Sequence, residues 1–272
     1  MKSSIIESIK SLPPLSKTIM EVNRVCSDEN ATLAELAKVI EKDPMIVANL
    51  FKAANSPLYN FNEEIHSVIQ AVTLFGMSMT RSIAVGHGVK KLLNVDMQPY
   101  GITSEKFAKI SELQANLMMR WYAHIDQKKA DELYLAAFLQ ETGKILIASD
   151  VIQEDETISF QSEIELTNNI PQVEKMYVDV TSAEVTAAVF KHWKFERKFI
   201  KMIEFSDTPD EAPLNVQEYA RALHIVKTAL PVNKPFFEQS INFALRKARD
   251  AGYEYEILED EIDDMIDEIG EI

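Results

Sequence analysis

Cysteine is almost missing from these 272 residues, Cys26 being the only one. No intramolecular disulfide can form, which fits a reducing compartment. A lone cysteine in a helical pattern reads as a small buried hydrophobe rather than a reactive thiol. Glycine is scarce as well, at seven. No Asn-Gly or Asp-Gly pair stands between alternating apolar runs, so hairpins and the β folds built from them are disfavoured. Gly86-His87-Gly88 is too short for a phosphate loop and lacks the lysine spacing that one needs. No Gly-x-Ser-x-Gly elbow occurs either. The first residues hold only Ile5, Ile6 and Ile9 before Pro13-Pro14, too short a run for a signal segment or a membrane span. The expectation is a cytoplasmic, bacterial-style soluble protein with no membrane partner.

Positive charge is also in short supply. The formal charge is −15, and residues 254–272 carry ten carboxylates with no Lys or Arg. A polyphosphate backbone needs a basic patch, and Lys90-Lys91 and Lys128-Lys129 are too sparse to make one, so no nucleic-acid partner is expected.

What is present is helical punctuation. Thr32-Leu33-Ala34-Glu35 is a capping box, with Leu33, Leu36, Ala37 and Ile40 following at helical spacing. Asp43-Pro44 opens the next helix, since proline at the first position gives up an N–H that would be unpaired anyway. Asn55-Ser56-Pro57 ends it, and 58–66 reads as a loop. Ser67 caps a short helix to Phe75, and a longer one covers 79–93. Pro99 and Gly101 mark a break between lobes over 94–103. Further helices are expected over 104–125, 129–149, 182–194, 216–230 and 234–251. Residues 150–180 read as polar and less regular, with a short helix over 160–166, and 207–213 reads as a linker. The class is all-α. The pair 32–41 and 44–54 has the outline of a helix-turn-helix, but it offers only Asn49 and Lys52 beside Glu35, Glu41 and Asp43, so packing is the better reading.

Ordered segments carry a resemblance. Leu12-Pro13-Pro14-Leu15, the two helices above, Ala54-Asn55-Ser56-Pro57-Leu58-Tyr59 and Ser67 through Gly76 come first. Gly143-Lys144 and Ala183-Glu184-Val185 through Trp193 follow. Together they resemble the HDOD domain, a helical module related to HD-type metal phosphohydrolases and found in bacterial signalling proteins. The likeness implies an HDOD-like domain over 1–207, with an N-terminal lobe to about 95 and a degenerate HD-like bundle over 104–207. Residues 208–272 would form a helical extension.

The departures concern chemistry. In HD enzymes an apolar run leads into His-Asp, then Gly-Lys, and both His and Asp coordinate a divalent metal. Here the run Ala137-Phe138-Leu139 leads into Gln140-Glu141 before Gly143-Lys144. By the same alignment the other metal histidines fall at Ile110, Ser182 and Ser206-Asp207. No histidine stands at any of these places. The five that occur, His66, His87, His124, His192 and His224, have no metal spacing. A hydrolytic metal needs several converging ligands to activate water. The expectation is therefore a non-catalytic regulatory module with no metal and no cofactor, working on protein partners that include a second copy of itself. A divergent phosphohydrolase of nucleotides or cyclic dinucleotides, and a nucleotide sensor without turnover, are the alternatives. For the latter, Lys144 and Arg81 are the candidate anion contacts.

The acidic end has its own pattern. Leu258, Ile262, Met265 and Ile269 share one helical stripe. Around them like charges four apart form six pairs, each costing about 0.2–0.5 kcal/mol. Burying each apolar residue returns about 1.5–3 kcal/mol. The segment is expected to be a helix only when docked, on its own body or on a partner.

Overall fold

The structure, a computed structural model, describes residues 1–28, 30–55, 65–92 and 96–270, without the side chains of 90–92 and 269. Residues 58–64 of the loop expected over 58–66, the Ser56 to Tyr59 part of the motif, and residues 93–95 lie outside them. Every regular element among the described residues is helical.

The chain divides into two compact units, Pro13–Leu93 and Met1–Leu12 with Asn94–Ile272. The first helix, α1 (Ser3–Ser11), thus belongs with the C-terminal unit rather than with an N-terminal lobe running from residue 1. The cause is its apolar face: Ile5 and Ile9 are buried, and α1 packs on two helices of that unit, Gly143–Gln153 and Ser182–His192. Ser4 Oγ donates to Asp150, and Lys2 pairs with the same carboxylate at 3.5 Å.

The smaller unit holds α2 (Lys17–Cys26), α3 (Leu33–Ile40), α4 (Pro44–Ala54) and α5 (Val68–Leu92). Thr32 and Glu35 form a reciprocal capping box, Asp43 accepts from the N–H groups of Met45 and Ile46, and Ser67 accepts from Gln70. α5 is two helical pieces joined at Gly76, whose φ of +69° lies in the left-handed region that glycine tolerates. α5 packs on α2, α3 and α4, with Ala71, Val72, Ala84 and Val85 buried. Val68–Val89 is long and apolar enough to cross a membrane by composition alone. Cys26 ends α2, and burial pushes its thiol up to about 11, so it is a thiol and not a thiolate at neutral pH.

The larger unit continues with α6 (Ser104–Ala123), α7 (Gln127–Leu139), α8 (Gly143–Gln153), α9 (Thr157–Thr167) and α10 (Ile170–Val178). It ends with α11 (Ser182–His192), α12 (Arg197–Glu204), α13 (Leu214–Ala229), α14 (Glu238–Asp250) and α15 (Tyr255–Ile269). Two readings change here. The single helix expected over 129–149 is α7 and α8, interrupted at 140–142. The irregular stretch expected over 150–180 holds α9 and α10, the second capped by Asn169 accepting from Gln172 N–H. α15 lies on α6 and α14, with Leu258, Ile262 and Met265 buried.

Candidate functional site

The break between α7 and α8 is forced by a close approach. Gly143 N–H donates to Thr186 Oγ1 at 2.7 Å, and a Cβ at Gly143 would stand 2.2 Å from the Ser182 carbonyl oxygen. Only glycine lets the start of α8 lie against α11, so α8 begins where Gln140, Glu141 and Lys144 are all sealed from solvent.

Lys144 is the hub. Its Nζ donates to Glu174 Oε1 and to Ser182 Oγ, each at 2.7 Å, and lies 3.0 Å from Glu141 Oε2. Two hydrogen bonds and one further charge contact surround the ammonium. Glu174 is saturated in turn, by Lys144, by the Tyr100 hydroxyl at 3.0 Å and by Ser182 N–H at 2.6 Å. Burial by itself would lower the Lys144 pKa, but Glu141 and Glu174 outweigh it and hold the ammonium above its ordinary value. Burial, then Glu174, pushes the Tyr100 phenol well up.

A second cluster adjoins it. Asp207 is not a residue of a loose linker: its side chain is 8% exposed, and Lys227 Nζ stands 2.5 Å from Oδ1. Burial would raise its pKa, yet Lys227 and then Lys144 hold it below the usual carboxylate value. Gln140 Oε1 and Glu141 Oε2 have no hydrogen-bond donor of good geometry. The Glu141 contact with Lys144 is thus a charge pair at short range. Ser206 accepts twice, its carbonyl from His224 Nδ1 at 2.7 Å and its hydroxyl from Lys227 at 3.3 Å. Burial, with Lys247 and Lys227 close by, holds His224 down to about 4, so the ring is neutral at pH 7.

The remaining positions fall as follows. Ile110 is buried in α6 and offers no donor atom. Gln140 Nε2 donates to Gln114 at 2.9 Å, and Gln114 donates to the Leu230 carbonyl, which ties α7 through α6 to the end of α13. Arg81 lies in the other unit, where its Nε donates to Asn23 at 2.6 Å. Glu141, Lys144, Ser182 and Asp207 are therefore one buried neighbourhood. Glu174, Tyr100, Lys227 and His224 belong to it and were not singled out from sequence as site residues.

These residues do not fit a divalent metal. The carboxylates that could hold one already face the ammonium groups of Lys144 and Lys227, and a further cation would be repelled at that range. Among the described residues no group of three or more His, Cys, Asp or Glu is placed to hold a metal.

Known proteins share this architecture. A candidate phosphohydrolase from Shewanella amazonensis SB2B is 20% identical with a TM-score of 0.75, over 98% of this chain and 95% of that one. A candidate signal transduction protein from Marinobacter aquaeolei VT8 is 19% identical with a TM-score of 0.74, over 98% of this chain and 59% of that one. At such identities the likeness is one of fold. An uncharacterised protein of Treponema pallidum (strain Nichols) is 22% identical over 232 residues, which are 84% of this chain. The chain spans less than half of that relative, 43% of its length. The family model of the HDOD domain matches residues 12–209, and the chain belongs to the HDOD domain family.

Proposed function

We propose that this chain is a non-catalytic regulatory module that works through protein contacts. The observation that carries the reading is Lys144. An HD-type hydrolase would place a metal cation beside the carboxylate after its histidine. Here an ammonium group lies 3.0 Å from Glu141 and donates to Glu174 and Ser182. An ammonium balances the carboxylates, but it cannot lower the pKa of a bound water as a metal does. The signalling name of the Marinobacter relative agrees with a regulatory role. Exposed apolar side chains give partners something to bind: Met20 and Met45 on the smaller unit are 53% and 55% exposed.

The rival reading, a divergent phosphohydrolase, draws on the name of the Shewanella relative. A phosphohydrolase and phosphodiesterase screen with added manganese separates the two. The proposal expects no turnover above buffer. Turnover that Glu141→Ala abolishes would overturn it.

A further inference from the structure

Beside the buried cluster a cavity of about 770 Å³ opens, with Glu141, Lys144, Asp207 and His224 among its lining. That volume lies in the range of small-molecule pockets, roughly 300–1,000 Å³. Its lining takes in the junction of α9 and α10, and α14 from Gln239 to Lys247 with Lys234 before it.

The charge on this wall runs against the rest of the molecule. In a chain of net charge −15, the exposed Lys234, Arg246 and Lys247 converge on one concavity. Among the described residues none of the three is ion-paired with a carboxylate; Lys234 only donates to Asn168 Oδ1 at 3.2 Å. Unneutralised cations in a cleft focus their field on an anion. The N-terminus of α14, which lines the same cavity, adds to it. The N-cap of α14 is Phe237, which has no polar atom to cap the helix itself.

Two aromatic rings share this wall. Phe237 and Phe243 are 46% and 41% exposed, unusually open for phenylalanine. Each carries a cation over its ring, Lys234 at 5.8 Å and Arg246 at 5.3 Å from the centroid. Glu141 and Asp207 also line the cavity, their charges already balanced by Lys144 and Lys227, so they leave the outer cations free to meet an anion.

We propose that this cavity binds a phosphorylated heteroaromatic small molecule of the nucleoside phosphate class, its phosphate on Lys234, Arg246 and Lys247 and its ring against Phe237 and Phe243. Cations and exposed ring faces together match a ligand that has phosphate and a flat ring. The cavity size and the acidic remainder of the chain favour a free small molecule over a polymer. Most of the recognising residues lie beyond the 12–209 family match, so family membership does not supply this site. The inference goes beyond the protein-contact reading and requires no turnover.

Isothermal titration of the full chain with adenosine, AMP, ATP, GTP, a cyclic guanosine dinucleotide and pyrophosphate tests it. At least one nucleoside phosphate should bind, more tightly than adenosine and than pyrophosphate. Because charge-assisted hydrogen bonds are lost, the Arg246→Ala/Lys247→Ala double variant should bind about tenfold to a hundredfold more weakly. Phe243→Ala should weaken the nucleotide and leave pyrophosphate unchanged. All three side chains are exposed, and circular dichroism checks that the variants stay folded. The inference is overturned if no nucleotide binds up to about 1 mM, if the variants bind as the parent does, or if pyrophosphate binds as well as the nucleotides. Hydrolysis of a bound nucleotide would instead refute the non-catalytic reading and leave the cavity assignment standing.

Discussion

Lys144 is an ammonium enclosed by protein, and its energetics are those of a buried ion pair. Such pairs contribute little net stability while intact, because desolvation offsets attraction, but breaking one strands a charge. Lys144→Met should therefore cost about 3–5 kcal/mol, since Glu174 keeps only Tyr100 and Ser182 as donors. Lys144→Met/Glu174→Met removes one of the two stranded carboxylates and should recover part of that loss, Glu141 remaining without its ammonium. Urea unfolding of the three proteins measures this, and a double variant no more stable than the single would show that Glu174 is not a stranded charge. His224 supplies a pH signature. Its folded pKa of about 4 lies below the ordinary histidine value of 6.5, so its contribution is complete above pH 6.5. As the pH falls towards 4 the unfolded chain takes up a proton that the folded one refuses, and stability drops by up to about 3 kcal/mol. His224→Gln should flatten the stability profile over that window. Equal slopes for variant and parent would contradict the assignment.

Among the elements, legibility followed locality. The capping box at Thr32, the Asp43-Pro44 start and the Ser67 cap each rest on residues within a turn of one another, and all three appear in the fold. α10 was obscure because its stabilising feature is not local: Glu174 is buried by Lys144 thirty positions earlier and by Tyr100 further still. Asn169-Ile170-Pro171, a cap followed by proline, was the available signal. The candidate site was half legible for the same reason. Gln140, Glu141 and Lys144 are read from one motif, whereas Lys227 and His224 arrive from α13, a helix with no part in it. α15 bears a prediction of its own. Leu258, Ile262 and Met265 are buried, Tyr253 meets Trp121 edge to face at 5.2 Å, and Arg120 makes a two-point pair with Glu268. The surface pair adds little, so the apolar contacts must outweigh the like-charge repulsion along the helix. Truncation after Gly252 should cost at least about 3 kcal/mol, on the order of 10 °C in Tm, and should shift Trp121 fluorescence to the red. An unchanged melting curve and spectrum would mean that α15 contributes nothing to the folded body.

At the scale of the molecule, an HDOD chain of strong negative charge lines one cavity with Lys234, Arg246 and Lys247 and sets Lys144 and Lys227 against internal carboxylates. Both arrangements concern the same question, what neutralises the carboxylates at the position where HD-type enzymes hold a metal. If Lys144 and Lys227 do so, the protein has no use for a divalent ion there. The direct measurement is the metal content of the protein purified without chelator, by inductively coupled plasma mass spectrometry, before and after dialysis against manganese, zinc or magnesium. The account predicts substoichiometric metal under every condition. One equivalent retained per chain, and lost in Glu141→Ala, would contradict it.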